Sequence, residues 1–186
     1  MALKTLLVLP IREGDNFKIS PDIGLLYLGT ALRSEGFDVT LLDCPKEKFS
    51  FKDFKDFVQE GNYDVVGFRC YSRDHNYVNH HISIVRQVSP SALTLTGGPH
   101  PSALPEFVLS SMPDLDFAWK AEAEEGLPDL LSYFTDHGRD IPEDLLERVP
   151  GLVWRKQSTG LPVVNQPSFG KNLDSYGIPA WDLVDP

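Results

Sequence analysis

The chain has 186 residues and a formal net charge of −10. That is long enough to bury one real core, and too acidic for a nucleic-acid binder, which clusters Lys and Arg against phosphate. Two cysteines, Cys44 and Cys70, exclude a disulfide scaffold and any Cys-rich zinc or iron–sulfur site built from this chain alone. The apolar run Leu6 to Leu9 is too short for a signal-peptide core or a membrane span, so the expected setting is a reducing cytoplasm with no membrane partner.

In chain order, Leu6-Leu7-Val8-Leu9, stopped by Pro10, predicts a central buried strand. Residues 10–21 are polar and irregular. Pro21 and Asp22 open a helix through about Ser34, ended by Gly36. Asp38 to Leu42 is the second strand. Phe51, Phe54, Phe57 and Val58 mark a second helix, closed by Gly61-Asn62. Val65 to Phe68 is the third strand, and Val78, Ile82, Val85 and Val88 one face of the third helix. Leu93 to Thr96 is the fourth strand, broken by Gly97-Gly98. A fourth helix holds Leu104, Phe107 and Val108. A fifth strand covers Phe117 to Trp119, and a fifth helix Leu127, Leu130, Leu131 and Phe134.

Five strand–helix units predict an α/β fold of the flavodoxin or Rossmann-like kind. Its five-stranded parallel sheet has order 2-1-3-4-5 and helices on both faces. After residue 148 the pattern changes. Gly151 to Arg155 and Pro162 to Asn165 flank Ser158-Thr159-Gly160 and predict a C-terminal β-hairpin. The expected division is a domain over 1–148, a hairpin appendage over 149–166, and a Gly/Pro/Asp-rich linker over 167–186 leading to a further domain.

Open parallel sheets bind ligands outside the strand carboxyl ends, where strand order reverses. The loops expected there are Pro10 to Pro21, Arg69 to His75, Gly97 to Pro101 and Lys120 to Glu124. The first reads Ile11-Arg12-Glu13-Gly14-Asp15-Asn16, which is no dinucleotide fingerprint. There is no Gly-Lys-Ser phosphate loop. The first loop has no hydroxyl before Ser20, unlike a flavin-phosphate cradle. Phe68-Arg69-Cys70 lacks the Asp of a phospho-receiver. The ligand must be gripped mainly by the third and fourth loops. Gly97-Gly98-Pro99-His100-Pro101 lets a ligand approach the backbone closely, so substitution at Gly98 is expected to remove the ligand and spare the fold.

Several segments, in this order, carry a resemblance: Pro21-Asp22-Ile23-Gly24-Leu25-Leu26-Tyr27-Leu28, Asp64-Val65-Val66-Gly67-Phe68, Gly97-Gly98-Pro99-His100-Pro101, Ala121-Glu122-Ala123-Glu124, Gly151-Leu152-Val153-Trp154-Arg155 and Ile178-Pro179-Ala180-Trp181. Together they resemble the N-terminal cobalamin-binding domain of the cobalamin-dependent radical S-adenosylmethionine enzyme family. The resemblance implies cobalamin over the strand ends, with the nucleotide tail inserted toward the sheet beside the Gly-Gly turn. By match to the family's motifs it assigns cofactor contacts to Gly97, Gly98, Pro99 and His100, to Arg69, Cys70, Tyr71 and Ser72, to Ile23 and Gly24, and to Ala121 and Glu122. The iron–sulfur cluster and S-adenosylmethionine belong to a radical domain C-terminal to this chain, so the chain alone is expected to be non-catalytic, a module for methyl transfer or related radical chemistry.

Three departures stand out. No His lies in residues 10–24, so no imidazole ligand to cobalt is expected from the first loop. Arg69 stands where a small Ser or Thr is usual, and Ala121-Glu122-Ala123-Glu124 replaces Gly-Glu-Gly-Glu. Arg69 and the two alanines motivate the alternative, a docking or substrate-recognition module that no longer binds cobalamin. His75, His80, His81 and His100 raise a metal hypothesis; His80 and His81 are adjacent and point apart on a helix. Of the four, His100 is the expected ligand contact.

Overall fold

A computed structural model describes residues 2–11, 21–169 and 176–184. Residues 12–20 of the expected first crevice loop, and 170–175 and 185–186 of the expected linker, lie outside the described residues.

The strands are β1 (Lys4–Leu9), β2 (Asp38–Asp43), β3 (Val65–Arg69), β4 (Leu93–Gly97), β5 (Phe117–Trp119), β6 (Leu152–Arg155) and β7 (Pro162–Val164). They form one sheet in the order β2-β1-β3-β4-β5-β6-β7. The first five are parallel, in the expected order 2-1-3-4-5. The hairpin is not beside this sheet but part of it: β6 joins β5 antiparallel through Ala118↔Val153 and Trp119↔Leu152, and β7 follows.

The helices are α1 (Ile23–Ser34), α2 (Cys44–Glu47), α3 (Phe51–Gly61), α4 (His75–Val88), α5 (Pro99–Ala103), α6 (Pro105–Ser111), α7 (Gly126–His137) and α8 (Glu143–Leu146). Their ends follow local chemistry. Asp22 caps α1, its carboxylate accepting from Leu25 N at 3.0 Å, and Ser50 with Asp53 forms a capping box at α3. Sequence periodicity misses the one-turn helices α2 and α8, which are too short to show a period. Both have local signals, Asp43 capping Lys46 N at 3.0 Å and Pro142 just before α8. The expected fourth helix is two helices, because Pro105 pushes Leu104 out of helical geometry (φ −134°, ψ 59°).

Strand alternation divides the core. Leu6, Val8, Val66 and Phe68 face one side, packed with Phe54, Val58, Val78, Ile82 and Val108 of α3, α4 and α6. Leu7, Val65, Leu93, Leu95 and Trp119 face the other, toward Leu25 and Leu32 of α1 and Leu127, Leu130 and Leu131 of α7. Residues 176–184 lie along α1. Thr30 Oγ1 donates to Ile178 O at 2.8 Å, Ala180 N to Leu26 O at 3.2 Å, and Arg33 pairs with Asp182 at 2.7 Å. Gly29 makes room for Leu183, whose Cδ1 would lie 2.7 Å from a Cβ there. No helix among the described residues is long and apolar enough to cross a membrane.

Candidate functional site

The same alternation builds the site. On the α1/α7 face, Leu7 and Leu9 of β1, Gly67 and Arg69 of β3, Leu95 and Gly97 of β4, and Trp119 of β5 form the floor of a cavity of about 570 Å³. Ile23, Gly24, Leu25 and Leu28 of α1 wall one side; residues 121–124 and Leu127 wall the other. The position is the strand carboxyl ends around the β1/β3 switch point, where α/β sheets bind ligands.

Two glycines open it. A Cβ on Gly97 would meet only Trp119 Cβ at 3.8 Å, and one on Gly67 would meet Leu7 and Leu95 at 3.5 and 3.8 Å. Those are ordinary contacts, so the backbone tolerates a side chain at either place, and its absence leaves the floor clear. Gly98 is different. Its φ is +104°, and a Cβ would sit 3.1 Å from the Cys70 carbonyl oxygen. That oxygen accepts from His100 N at 3.1 Å. Glycine at 98 therefore serves the turn's own packing, and the expectation that its substitution spares the fold is revised.

Arg69 dominates the mouth. Its guanidinium pairs with Asp22 at 2.7 Å, both side chains largely buried, and lies 4.3 Å over the Tyr71 ring. Its Nε is buried with no hydrogen-bond partner among the described residues. Across the mouth, burial raises the pKa of Glu124, and the Glu122 carboxylate adds to that rise. Glu124 Oε accepts from Ala123 N at 3.0 Å. Ala121 holds a left-handed backbone (φ +65°). Ser102 secures it: its hydroxyl accepts from Ala121 N at 3.0 Å and donates to Gly98 O at 2.8 Å.

Of the residues assigned by sequence, Ile23, Gly24, Arg69, Tyr71, Gly97, Gly98, Pro99, Ala121 and Glu122 line the cavity. Cys70, Ser72 and His100 do not. Cys70 follows Arg69 by one residue, so its side chain turns to the opposite core, where it is fully buried. Burial raises its thiol to about 12, which leaves it inert. His100 also turns away and joins a chain of side chains. Ser72 Oγ lies 3.0 Å from His100 Nδ1, His100 Nε2 is 3.1 Å from His75 Nδ1, and His75 Nε2 is 3.3 Å from Ser111 Oγ. Ser111 donates to Phe107 O at 2.7 Å and so accepts from His75. The direction of the whole chain follows, with Ser72 donating to His100 and His100 to His75. Desolvation lowers the pKa of both imidazoles. His81 is fully buried and belongs to the core: its Nδ1–H donates to Tyr77 O at 2.7 Å, and Nε2 accepts from Ile11 N at 3.4 Å. No group of three His, Cys, Asp or Glu among the described residues could hold a metal.

Sequence reasoning missed the apolar lining: Leu7, Leu25, Leu28, Gly67, Leu95, Trp119 and Leu127. Strand parity is the available signal, since counting back by two from Arg69 gives Gly67 and from Gly97 gives Leu95.

Comparison with known proteins agrees with this geometry. Two curated relatives are similar along nearly the whole chain. The uncharacterized methyltransferase PH0819 of Pyrococcus horikoshii is 26% identical, over 98% of this chain and 39% of its own length. The anaerobic magnesium-protoporphyrin IX monomethyl ester cyclase of a Synechocystis species is 25% identical, over 89% of this chain and 32% of its own length. The chain thus spans well under half of either relative. Among solved structures, the cobalamin-dependent S-adenosylmethionine radical enzyme OxsB with aqua-cobalamin bound superposes with a TM-score of 0.82 at 19% identity, over 98% of this chain and 24% of that one. The radical S-adenosylmethionine methyltransferase TsrM of Kitasatospora setae gives 0.73 at 22% identity, over 89% and 31%. These two establish likeness of fold. The sequence model of the B12 binding domain matches residues 18–131, well over half of the chain, and the chain belongs to that family.

Proposed function

We propose that this chain is the cobalamin-binding module of a larger radical S-adenosylmethionine enzyme and has no catalytic activity alone. The observation that carries the reading is the cavity, opened by Gly67 and Gly97 at the sheet's switch point. Its volume lies within the ordinary range of small-molecule sites, ~300–1,000 Å³. A corrin with its amide arms is too large to enter. The part of cobalamin that fits is the nucleotide tail, with the corrin left over the strand ends. The residues suited to hold the tail are Leu25, Leu28, Leu95, Trp119 and Leu127 around the base and Gly97 and Gly98 at the close approach. Arg69, whose buried Nε has no hydrogen-bond partner among the described residues, suits a phosphate or amide oxygen. No histidine lines the cavity among the described residues, and we propose that cobalt receives no imidazole from this chain. Bound cobalamin supplies a cobalt centre able to carry a methyl group.

The family relationship and the likeness to cobalamin-bound OxsB support the reading. In it, residues 1–148 form the cofactor domain with the hairpin 149–166 on its sheet, and 167–186 lead to a C-terminal radical domain that holds the iron–sulfur cluster and S-adenosylmethionine. Two buried free thiols, Cys44 and Cys70, suit a reducing cytoplasm. Titration of the purified chain with hydroxocobalamin, followed by absorbance and by retention of colour on gel filtration, tests it. Saturable binding that Gly97→Leu abolishes is expected. A wild-type sample that stays colourless would favour the docking module instead.

A further inference from the structure

Among the described residues, no side-chain donor in the deep part of the cavity is left without a partner. Its side chains are Leu7, Leu25, Leu28, Leu95, Trp119 and Leu127. The floor strands β3 and β4 pair in register at Gly67↔Leu95 and Phe68↔Thr96, and β3 pairs with β1 at Leu7↔Gly67, so their backbone groups serve the ladders. Trp119 Nε1 donates to Pro150 O at 3.1 Å, and the Thr96 hydroxyl to Phe68 O at 3.1 Å. Of the charged lining residues, Asp22, Glu122 and Glu124 lie on loops and Arg69 is the last residue of β3, so all four sit at the strand ends, at the mouth.

From this division we infer that the site selects among cobamides by the polarity of the lower base, preferring phenolic and benzimidazole bases over purines. The inference rests on the proposed placement of the nucleotide tail. A cresol base linked through its oxygen carries no free donor. A benzimidazole that does not ligate cobalt carries one free ring nitrogen. Adenine carries an exocyclic amino donor and several ring acceptors. A polar group buried without a partner weakens binding by about ten-fold or more. The cavity therefore ranks the bases in reverse order of their unsatisfied groups, and does so by desolvation with no repulsive contact. The mouth residues do not alter the ranking, because the corrin and ribose phosphate are common to all cobamides.

The experiment is a set of equilibrium titrations of the full chain with cobalamin, the p-cresolyl cobamide, the adeninyl cobamide and cobinamide, which lacks the nucleotide. The cresolyl form should bind about ten-fold or more tighter than cobalamin, whose free ring nitrogen is buried without a partner, and the adeninyl form about ten-fold or more weaker than cobalamin. Leu28→Gln, at a half-buried wall position, places an amide beside the base and should narrow the gap between adeninyl form and cobalamin. An adeninyl form that binds as tightly as cobalamin overturns the inference. So does cobinamide binding as tightly as cobalamin, since the tail would then lie outside the cavity. Failure of every corrinoid to bind defeats instead the cobalamin reading on which the inference rests.

Discussion

Gly97 and Gly98 are neighbours, yet substituting them should give opposite phenotypes. Gly98 sits at φ +104°, ψ −167°, a region that side-chain-bearing residues occupy at a cost of about 1–3 kcal/mol. An alanine Cβ there adds a contact at 3.1 Å to the Cys70 carbonyl oxygen and others at 3.4 Å to Cys70 N and Arg69 Cγ. The carbonyl cannot withdraw freely, since it holds His100 N at the start of α5. With about 1 kcal/mol for that overpacking, Gly98→Ala should lose about 2–4 kcal/mol, or about 5–15 °C in melting temperature for a chain of this size. Gly97 has no left-handed backbone and its nearest neighbour is 3.8 Å away. Gly97→Leu should therefore melt within a few degrees of wild type, its side chain filling the cavity. Thermal melts of the apo chain, then hydroxocobalamin titrations of all three proteins, make the measurement. If Gly98→Ala melts within about 2 °C of wild type, less than 1 kcal/mol is at stake and the strain argument is wrong. If Gly97→Leu binds cobalamin normally, the cavity is not the site.

Other outcomes follow from single contacts. Ser102→Ala should cost about 1–2 kcal/mol and speed hydrogen exchange at the Ala121 amide, while Ala121→Gly should relieve about 1 kcal/mol of left-handed strain and partly rescue it. Burial lowers the pKa of His81 from 6.5 to about 4. Below pH 6.5 the unfolded chain takes up a proton that the folded chain refuses, so stability should fall from pH 6.5 toward 4 by roughly 3 kcal/mol; denaturant melts across that window should show a flatter acid limb in His81→Leu. Arg155 donates to the carbonyls of Leu109 and Met112 at the end of α6 and of Leu115 in the turn beyond it, so Arg155→Met should cost about 2–3 kcal/mol, read as a lower urea midpoint at unchanged slope.

The parallel sheet is legible in the sequence because buried strands read as unbroken apolar runs, as in Leu6 to Leu9, and the intervening helices keep their period. The loops around the site are legible because a doubly wound sheet places them at one end. Side-chain direction within those loops is not. Arg69 and Cys70 are consecutive, and only the register of β3 sends one to the cavity and the other to the opposite core. His100 lies in a motif that invites a ligand role, yet the side-chain network it joins draws Ser72 and His75 from the one segment that follows β3 and Ser111 from the end of α6, and no local pattern announces it. Ala121 in place of glycine reads as a loss of backbone freedom, and its tether, Ser102, is separated from it by the whole of α6 and β5.

The hairpin has a consequence for how the protein behaves in concentrated solution. β5 is only three residues long, and its outer edge would otherwise present unpaired N–H and C=O groups to any passing strand. β6 covers that edge, and the new outermost strand, β7, is again three residues long and begins with Pro162, which has no N–H to offer. The chain thereby exchanges an adhesive border for an inert one. A version shortened to end before Gly151 would keep every residue lining the cavity and lose this border, and it should aggregate as its concentration rises.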